Sequence, residues 1–212
     1  MRANRSDSHG RDFNPIDIWR KLWSQWPALL CMLLLLAGRS SLADHYIVPS
    51  GSMEPTLVPG DRVVADKTAY GVRLPFIRLA LSAGETPRAG EVAIFDSPAD
   101  GQRLIKRIVA VPGDRVEMHN GLLAINHELL ADSSGQPVEV FGARRARLDL
   151  RHGGGPDIQP HRVPEGRVLV LGDARGNSRD SRFFGLVDID DLYARAIGVF
   201  FRKDEGFVWR PL

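Results

Sequence analysis

The stretch Ile47-Val48-Pro49-Ser50-Gly51-Ser52-Met53-Glu54-Pro55-Thr56-Leu57 leaves the backbone few solutions. Pro49, Gly51 and Pro55 stand too close together for a helix, and a strand inside a sheet does not accept the prolines. What remains is a rigid turn that presents a small polar side chain, and Ser52 is the side chain it presents. A serine hydroxyl is a weak nucleophile until a base takes its proton. The base this sequence offers is Lys106, 54 residues on, in the strand-like run Arg103-Leu104-Ile105-Lys106-Arg107-Ile108-Val109.

A lysine is a base only when neutral. Its ordinary pKa is about 10.4, so roughly one molecule in 2,500 is neutral at pH 7, and a shift of ~3 units takes about 4 kcal/mol of bias against the charged form. Burial supplies shifts of that size. Leu104, Ile105, Ile108 and Val109 flank Lys106. By strand alternation Lys106 shares a face with Leu104 and Ile108, and Arg107 points the other way. An isolated lysine in such a run is ordinarily a solvated side chain on an amphipathic strand; the turn at Ser52 gives this one a partner. The tetrahedral species formed when a serine attacks a carbonyl needs donors for its oxyanion. The Ser52 N–H and the Ser50 hydroxyl can supply two. The other reading of Ser50 is a hydroxyl that stabilises the turn. Met53 either lines a pocket or packs.

Outward from these two segments the pattern is β. Val- and Ile-rich runs predict strands at His45–Val48, Arg62–Lys67, Glu91–Phe95, Arg103–Val111, Arg115–His119, Leu122–Ile125, Val138–Phe141, Arg167–Leu171 and Ala194–Phe201. Pro59-Gly60-Asp61, Arg88-Ala89-Gly90, Pro112-Gly113-Asp114 and Pro164-Glu165-Gly166 mark turns. Asn120-Gly121 between two strand runs is a strong hairpin signal. No long amphipathic helix follows residue 44. Residues 126–162, with Ser133-Ser134-Gly135, the basic run Arg144–Arg151 and Gly153-Gly154-Gly155-Pro156, read as an excursion from the core: an inserted β subdomain whose arginines form a solvated face, contact with acidic lipid or a partner being the competing reading.

Before residue 44 the chain changes character. Residues 1–21 form a polar, basic tail that ends in Arg20-Lys21, and Leu22–Gly38 carries no charge. As a helix that segment is about 25 Å long, near the lower limit for spanning a bilayer core. Trp19, Trp23 and Trp26 crowd its start, where aromatic side chains suit the interface, and the positive residues ahead of it place the N-terminus in the cytoplasm. The expected organisation is a cytoplasmic tail at 1–21, one transmembrane anchor at 22–38 and an extracytoplasmic catalytic domain at 44–212. A cleavable signal peptide, with Ser41-Leu42-Ala43 as a small-x-small site, and a buried core helix are the competing readings.

Composition agrees with a β domain plus an anchor. The chain has 212 residues, 43% of them apolar, with 21 glycines and 14 prolines. A net charge of +2 with interleaved signs argues against a nucleic-acid-binding face. The single cysteine, Cys31, permits no intrachain disulfide. None of His9, His45, His119, His127, His152 and His161 sits in a catalytic motif, and no His/Cys/carboxylate cluster has ligand spacing, so neither a Ser-His-Asp triad nor a metal or other cofactor is expected.

Four blocks in order resemble bacterial signal peptidase I, the membrane-anchored Ser/Lys protease family. They are Pro49–Leu57 followed by Gly60-Asp61, then Gly90-Glu-Val-Ala-Ile-Phe95, then Lys106-Arg-Ile-Val-Ala-Val-Pro-Gly-Asp114, and Gly172-Asp-Ala-Arg-Gly-Asn-Ser-Arg-Asp-Ser-Arg-Phe-Phe-Gly185. The resemblance covers nearly all of residues 45–201. It implies a β-rich catalytic core with a smaller inserted β unit, Ser52 as nucleophile and Lys106 as general base, with Ser50 and the Ser52 amide as oxyanion hole. It also implies that Ser178 hydrogen-bonds and orients Lys106, and that Asp180 and Arg182 form a supporting ion pair. The implied substrates are secretory preproteins with small residues at −1 and −3, cut by a monomeric enzyme at the outer side of the bacterial cytoplasmic membrane, in contact with its lipid. The last block departs from the family pattern at Ala174 and Gly176, where Asn and Asp are common.

Other readings are a specialised relative that processes one substrate, such as a pilin-like or conjugation protein, a self-cleaving repressor of related chemistry, and a membrane-tethered domain that binds peptides without cutting them. The presence of both Ser52 and Lys106 argues against the last. No DNA-binding module precedes the core to favour the repressor.

Overall fold

The Val- and Ile-rich runs fold as strands that pair antiparallel across glycine and proline turns. The computed structural model describes residues 25–28, 30–32, 43–71 and 84–212. In chain order the strands are β1 (Ala43–Ile47), β2 (Arg62–Asp66), β3 (Val92–Asp96), β4 (Arg103–Ala110), β5 (Arg115–His119), β6 (Leu122–Ile125), β7 (Glu128–Leu129), β8 (Val138–Phe141), β9 (Arg144–Arg147), β10 (Ile158–Arg162), β11 (Arg167–Leu171), β12 (Val187–Asp188), β13 (Leu192–Arg202) and β14 (Gly206–Pro211). Among the described residues the helical elements after β1 are single turns: 3-10 turns at Gly51–Met53, Arg175–Asn177 and Ile189–Asp191, and one α-turn at Ser181–Phe184.

The main sheet runs β1-β2-β13-β3-β4-β11-β12, with β14 added alongside β13. The long strand β13 joins its two halves, pairing with β2 on one side and with β3 and then β14 on the other. Lys106 of β4 lies opposite Ala93 of β3, and Arg107 of β4 lies opposite Leu171 of β11. Register on both sides therefore fixes where β4 presents its side chains.

A second sheet, β10-β5-β6-β7, and the hairpin β8-β9 complete the structure. Asn120 and Gly121 both have positive φ, 51° and 82°, as a type I′ hairpin between β5 and β6 demands. The excursion expected at 126–162 is wider by sheet membership, because β5 and β6 pair with β7 and β10 rather than with the main sheet. It is not a detached lobe either. Val109, Ala110, Leu169 and Leu171 of the main sheet share one core with Val116, Met118, Leu123 and Phe141. The basic run Arg144–Arg147 is strand β9, which buries Ala146.

Residues 25–28 and 30–32 are helical. Among the described residues no helix is long and apolar enough to cross a membrane. Most of the anchor expected at 22–38, and all of the tail at 1–21, lie outside the described residues.

Candidate active site

The turn that opens the sequence argument is pinned by its apolar members. Val48, Met53 and Leu57 sink into a core with Val63, Val92, Ala196 and Val199. Met53 thus packs rather than lines a pocket. Val48 N–H donates to Asp61 O and Gly60 N–H to Val48 O, which closes the loop, and the Glu54–Pro55 peptide is cis. Ser52 sits in the middle of the 3-10 turn and is buried, while Ser50 ahead of it is exposed.

β4 brings the second residue. Its inner half is covered on both faces, so Lys106 is only 3% exposed. Nζ of Lys106 lies 2.7 Å from Oγ of Ser52, and Nζ also donates to the Ile105 carbonyl at 3.1 Å. Burial pushes the Lys106 ammonium down to about 8, against the pull of Asp180 and Asp173, which favour the charge. The Ser50 hydroxyl donates to Ser52 Oγ at 3.4 Å. The Ser52 N–H meets no acceptor among the described residues.

The segment after β11 closes the site from the other side. Ala174 N–H donates to Ser52 O at 3.2 Å. Gly172 has to be glycine here, since a Cβ on it would stand 2.2 Å from Ser178 Oγ and 2.4 Å from Ser52 O. The expected hydrogen bond from Ser178 to Lys106 is not made. Ser178 is buried and its hydroxyl has no partner among the described residues. The reason is geometric: Lys106 directs Nζ at Ser52 and Ile105, and Ser178, extended just past the Arg175–Asn177 turn, packs against Gly172 instead. Asp180 and Arg182 form an ion pair. Nε of Arg182 donates to Asp180 Oδ1 at 2.7 Å and Nη2 to Oδ2 at 2.8 Å, with both side chains buried. Asp180 also caps the Ser181–Phe184 turn and accepts from Gly172 N–H at 2.9 Å.

Among the described residues, two buried ion pairs and one partly buried pair that clamp the site escaped the sequence reading. Arg107 does point away from Lys106, yet it is buried: Nε and Nη2 donate to Asp173 at 2.8 and 2.6 Å, and Nη1 to Gly90 O at 2.8 Å. Thr56 of the nucleophile turn donates its hydroxyl to the same Asp173 carboxylate at 2.5 Å. Arg202 at the end of β13 grips Asp61 at 2.9 and 2.6 Å and reaches Thr56 O at 3.3 Å. The turn that carries Ser52 is thus clamped at Thr56 from two sides. Arg175, wholly buried, pairs with Glu139 of β8 at 2.6 Å. A signal for Arg107 was present: the flanking residues of β4 are apolar on both faces, so neither face was destined for water.

The family described as signal peptidase, peptidase S26 matches residues 22–201. This chain belongs to that family. It is therefore a peptidase, and the reaction its site must account for is hydrolysis of a peptide bond. Among curated relatives, signal peptidase I of Pseudomonas fluorescens is 34% identical over 202 residues, covering 83% of this chain and 70% of that one. Signal peptidase I of Pseudomonas aeruginosa is 34% identical over 176 residues, covering 76% of this chain and 61% of that one. Probable signal peptidase I-2 of Synechocystis is 29% identical over 201 residues, covering 91% of this chain and 78% of that one.

Proposed function

We propose that this signal peptidase removes N-terminal signal peptides from exported preproteins with Ser52 as nucleophile and neutral Lys106 as general base. The observation that carries this reading is the 2.7 Å approach of Lys106 Nζ to Ser52 Oγ inside a buried site. With a pKa of about 8, roughly one lysine in ten is neutral at pH 7. The neutral amine takes the hydroxyl proton as Oγ attacks the scissile carbonyl carbon. The oxyanion that forms is received by the Ser52 N–H and the Ser50 hydroxyl. The ammonium of Lys106 then gives its proton to the departing amine, which leaves an ester on Ser52. A water molecule, deprotonated by the same lysine, attacks that ester and releases the signal peptide with Ser52 restored.

Small residues at −1 and −3 of the substrate follow from shallow pockets beside an extended peptide. The test uses purified full-length protein in detergent and a preprotein with Ala at −3 and −1. Cleavage after the −1 residue is expected, and Ala→Phe at −1 lowers kcat/KM by about 100-fold or more, the loss expected when a side chain cannot enter its pocket. No cleavage of the Ala substrate sinks the reading.

The enzyme works at the outer face of the bacterial cytoplasmic membrane, anchored through 22–38 with the N-terminus inside. Support comes from a cross-strand row beside the nucleophile turn: Ile47 lies opposite Arg62, Arg62 opposite Phe201, and Phe201 opposite Phe207. Ile47, Phe207 and Trp209 are exposed, Phe207 to 86%. Exposed apolar side chains grouped this way are rare on a surface that meets only water. In vesicles of brominated lipid, the fluorescence of Trp209 is expected to be quenched. The readout is the difference between the natural protein and Trp209→Phe, which share Trp19, Trp23 and Trp26. Equal quenching in the two proteins places β14 away from lipid.

A further inference from the structure

The last block departs from the pattern it resembles at Gly176, and a second glycine run, Gly153-Gly154-Gly155, lies between β9 and β10. The fold sets the two against each other. Asp149 and Ala174 form a parallel bridge, with Asp149 N–H donating to Asp173 O at 2.9 Å and Arg175 N–H to Asp149 O at 3.1 Å. Past this bridge the chain crosses the block at backbone distance. A Cβ on Gly176 would stand 2.0 Å from the His152 carbonyl oxygen, and one on Gly154 would stand 2.2 Å from the Asn120 carbonyl carbon. Neither glycine has a positive φ, so each is needed for space and not for backbone freedom.

What this approach delivers is a carbonyl. Gly154 O accepts from Arg182 Nη1 at 2.8 Å, while Arg175 O accepts from Nη2 at 2.7 Å. Nε and the second Nη2 hydrogen go to Asp180, and the side chain is 1% exposed. The strap therefore shuts water away from the Asp180–Arg182 pair.

We propose that the strap Arg151–Gly155 is a positioning element for the dyad: seated on Gly176 and capping Arg182, it keeps Asp180 paired and dry beside Lys106, so that Lys106 gives up its proton readily enough to serve as base. This rests on the Ser52–Lys106 reading of the site. The groups around Lys106 are Ser52, the Ile105 carbonyl and two carboxylates, Asp180 and Asp173. Asp173 is held by Arg107, whose contacts do not involve the strap. Asp180 is held by Arg182, whose contacts do.

Gly176→Ala and Gly154→Ala, in the full-length protein, lift the strap from its two sides. A loosened Arg182 leaves Asp180 less compensated, and admitted water eases the charging of Lys106; both favour the ammonium. The acid limb of kcat/KM is expected to move up by about one pH unit, with kcat at pH 7 down about tenfold and KM unchanged. His152→Ala, which trims an exposed side chain of the same strap and keeps its backbone contacts, leaves the limb in place. If neither glycine variant folds, Arg182→Lys carries the test. It keeps a cation at Asp180 but cannot reach both carbonyls, and it moves the limb the same way.

The second readout needs no turnover: the pH dependence with which trace acetic anhydride labels Lys106, followed by mass spectrometry. Labelling of folded variants is expected to shift with the limb. Folded variants whose limb and labelling match the natural protein overturn the proposal, as does a loss of folded protein with an unmoved limb. If the natural protein cleaves no preprotein while the labelling shift is seen, the signal-peptide reading falls and the strap inference stands.

Discussion

Lys106→Met and Ser52→Ala each reduce cleavage of a preprotein by about 10³-fold or more while leaving the protein folded. General-base catalysis alone accounts for roughly 10²–10⁴. The two losses are not additive, since Ser52 without a base and Lys106 without a nucleophile are equally idle. The natural enzyme is expected to show an acid limb in kcat/KM near pH 8, where Lys106 gives up its proton, with activity falling below it. The two variants part company in stability. The folded pKa of Lys106 is depressed to about 8, so between pH 8 and the ordinary lysine value the unfolded chain binds more protons than the folded one. Stability therefore rises across that window, and below it Lys106 lowers stability by about 3 kcal/mol. Lys106→Met removes this penalty: it is expected to be more stable than the natural protein at pH 7 and to lose the rise between pH 8 and 10.5, whereas Ser52→Ala keeps it. Urea unfolding at the two ends of the window measures both. A Met variant that retains cleavage within tenfold of normal removes Lys106 from the mechanism. One that keeps the pH-dependent rise shows that Lys106 is not dry.

The reach of sequence reasoning in this chain follows the range of the forces involved. The turn at Ser52 was legible because Pro49, Gly51 and Pro55 restrict local dihedrals whatever surrounds them. The strands β5, β6, β8 and β11 were legible to the residue because alternation and Asn-Gly chemistry are local as well. Which sheet a strand joins is not local. The hairpin β5-β6 carries the same signal in either sheet, and only its pairing with β10, Ile158 opposite Met118, decides. The same limit explains Arg107: alternation gave its face, but the Asp173 that makes this face a buried one arrives from the turn after β11. It explains Ser178 too, whose place in the block was visible while the packing against Gly172 that leaves its hydroxyl without a partner among the described residues was not. β9 was missed because an arginine-rich run has weak strand propensity, and pairing with Val138–Phe141 overrides it.

The deepest dependence of the site on the second sheet is through Arg175, and here the expected effect is on stability. Its guanidinium donates to Glu139 at 2.6 Å, to Gly121 O at 2.9 Å and to Gly172 O at 3.1 Å, and its own carbonyl receives Arg182. One side chain thus ties β8, the β5-β6 turn and the catalytic block together. Arg175→Met leaves Glu139 buried without its counterion, with one carboxylate oxygen already lacking a partner among the described residues. Breaking one partner of such a pair costs about 3–5 kcal/mol, which is roughly 6–20 °C in Tm for a domain of this size. Burial already pushes the Glu139 carboxyl up, and Arg175 is the main opposing influence. In the variant the folded carboxyl therefore holds its proton where the unfolded one has lost it, so the variant loses stability as pH rises from about 4 toward neutral. Glu139→Gln added to Arg175→Met removes the charge and should recover more than half of the loss at pH 7, with the pH dependence gone. If the double variant is as unstable as Arg175→Met alone, the lost carbonyl bonds and not the orphaned carboxylate are what hold the second sheet to the catalytic block, and the ion pair is incidental to that joint.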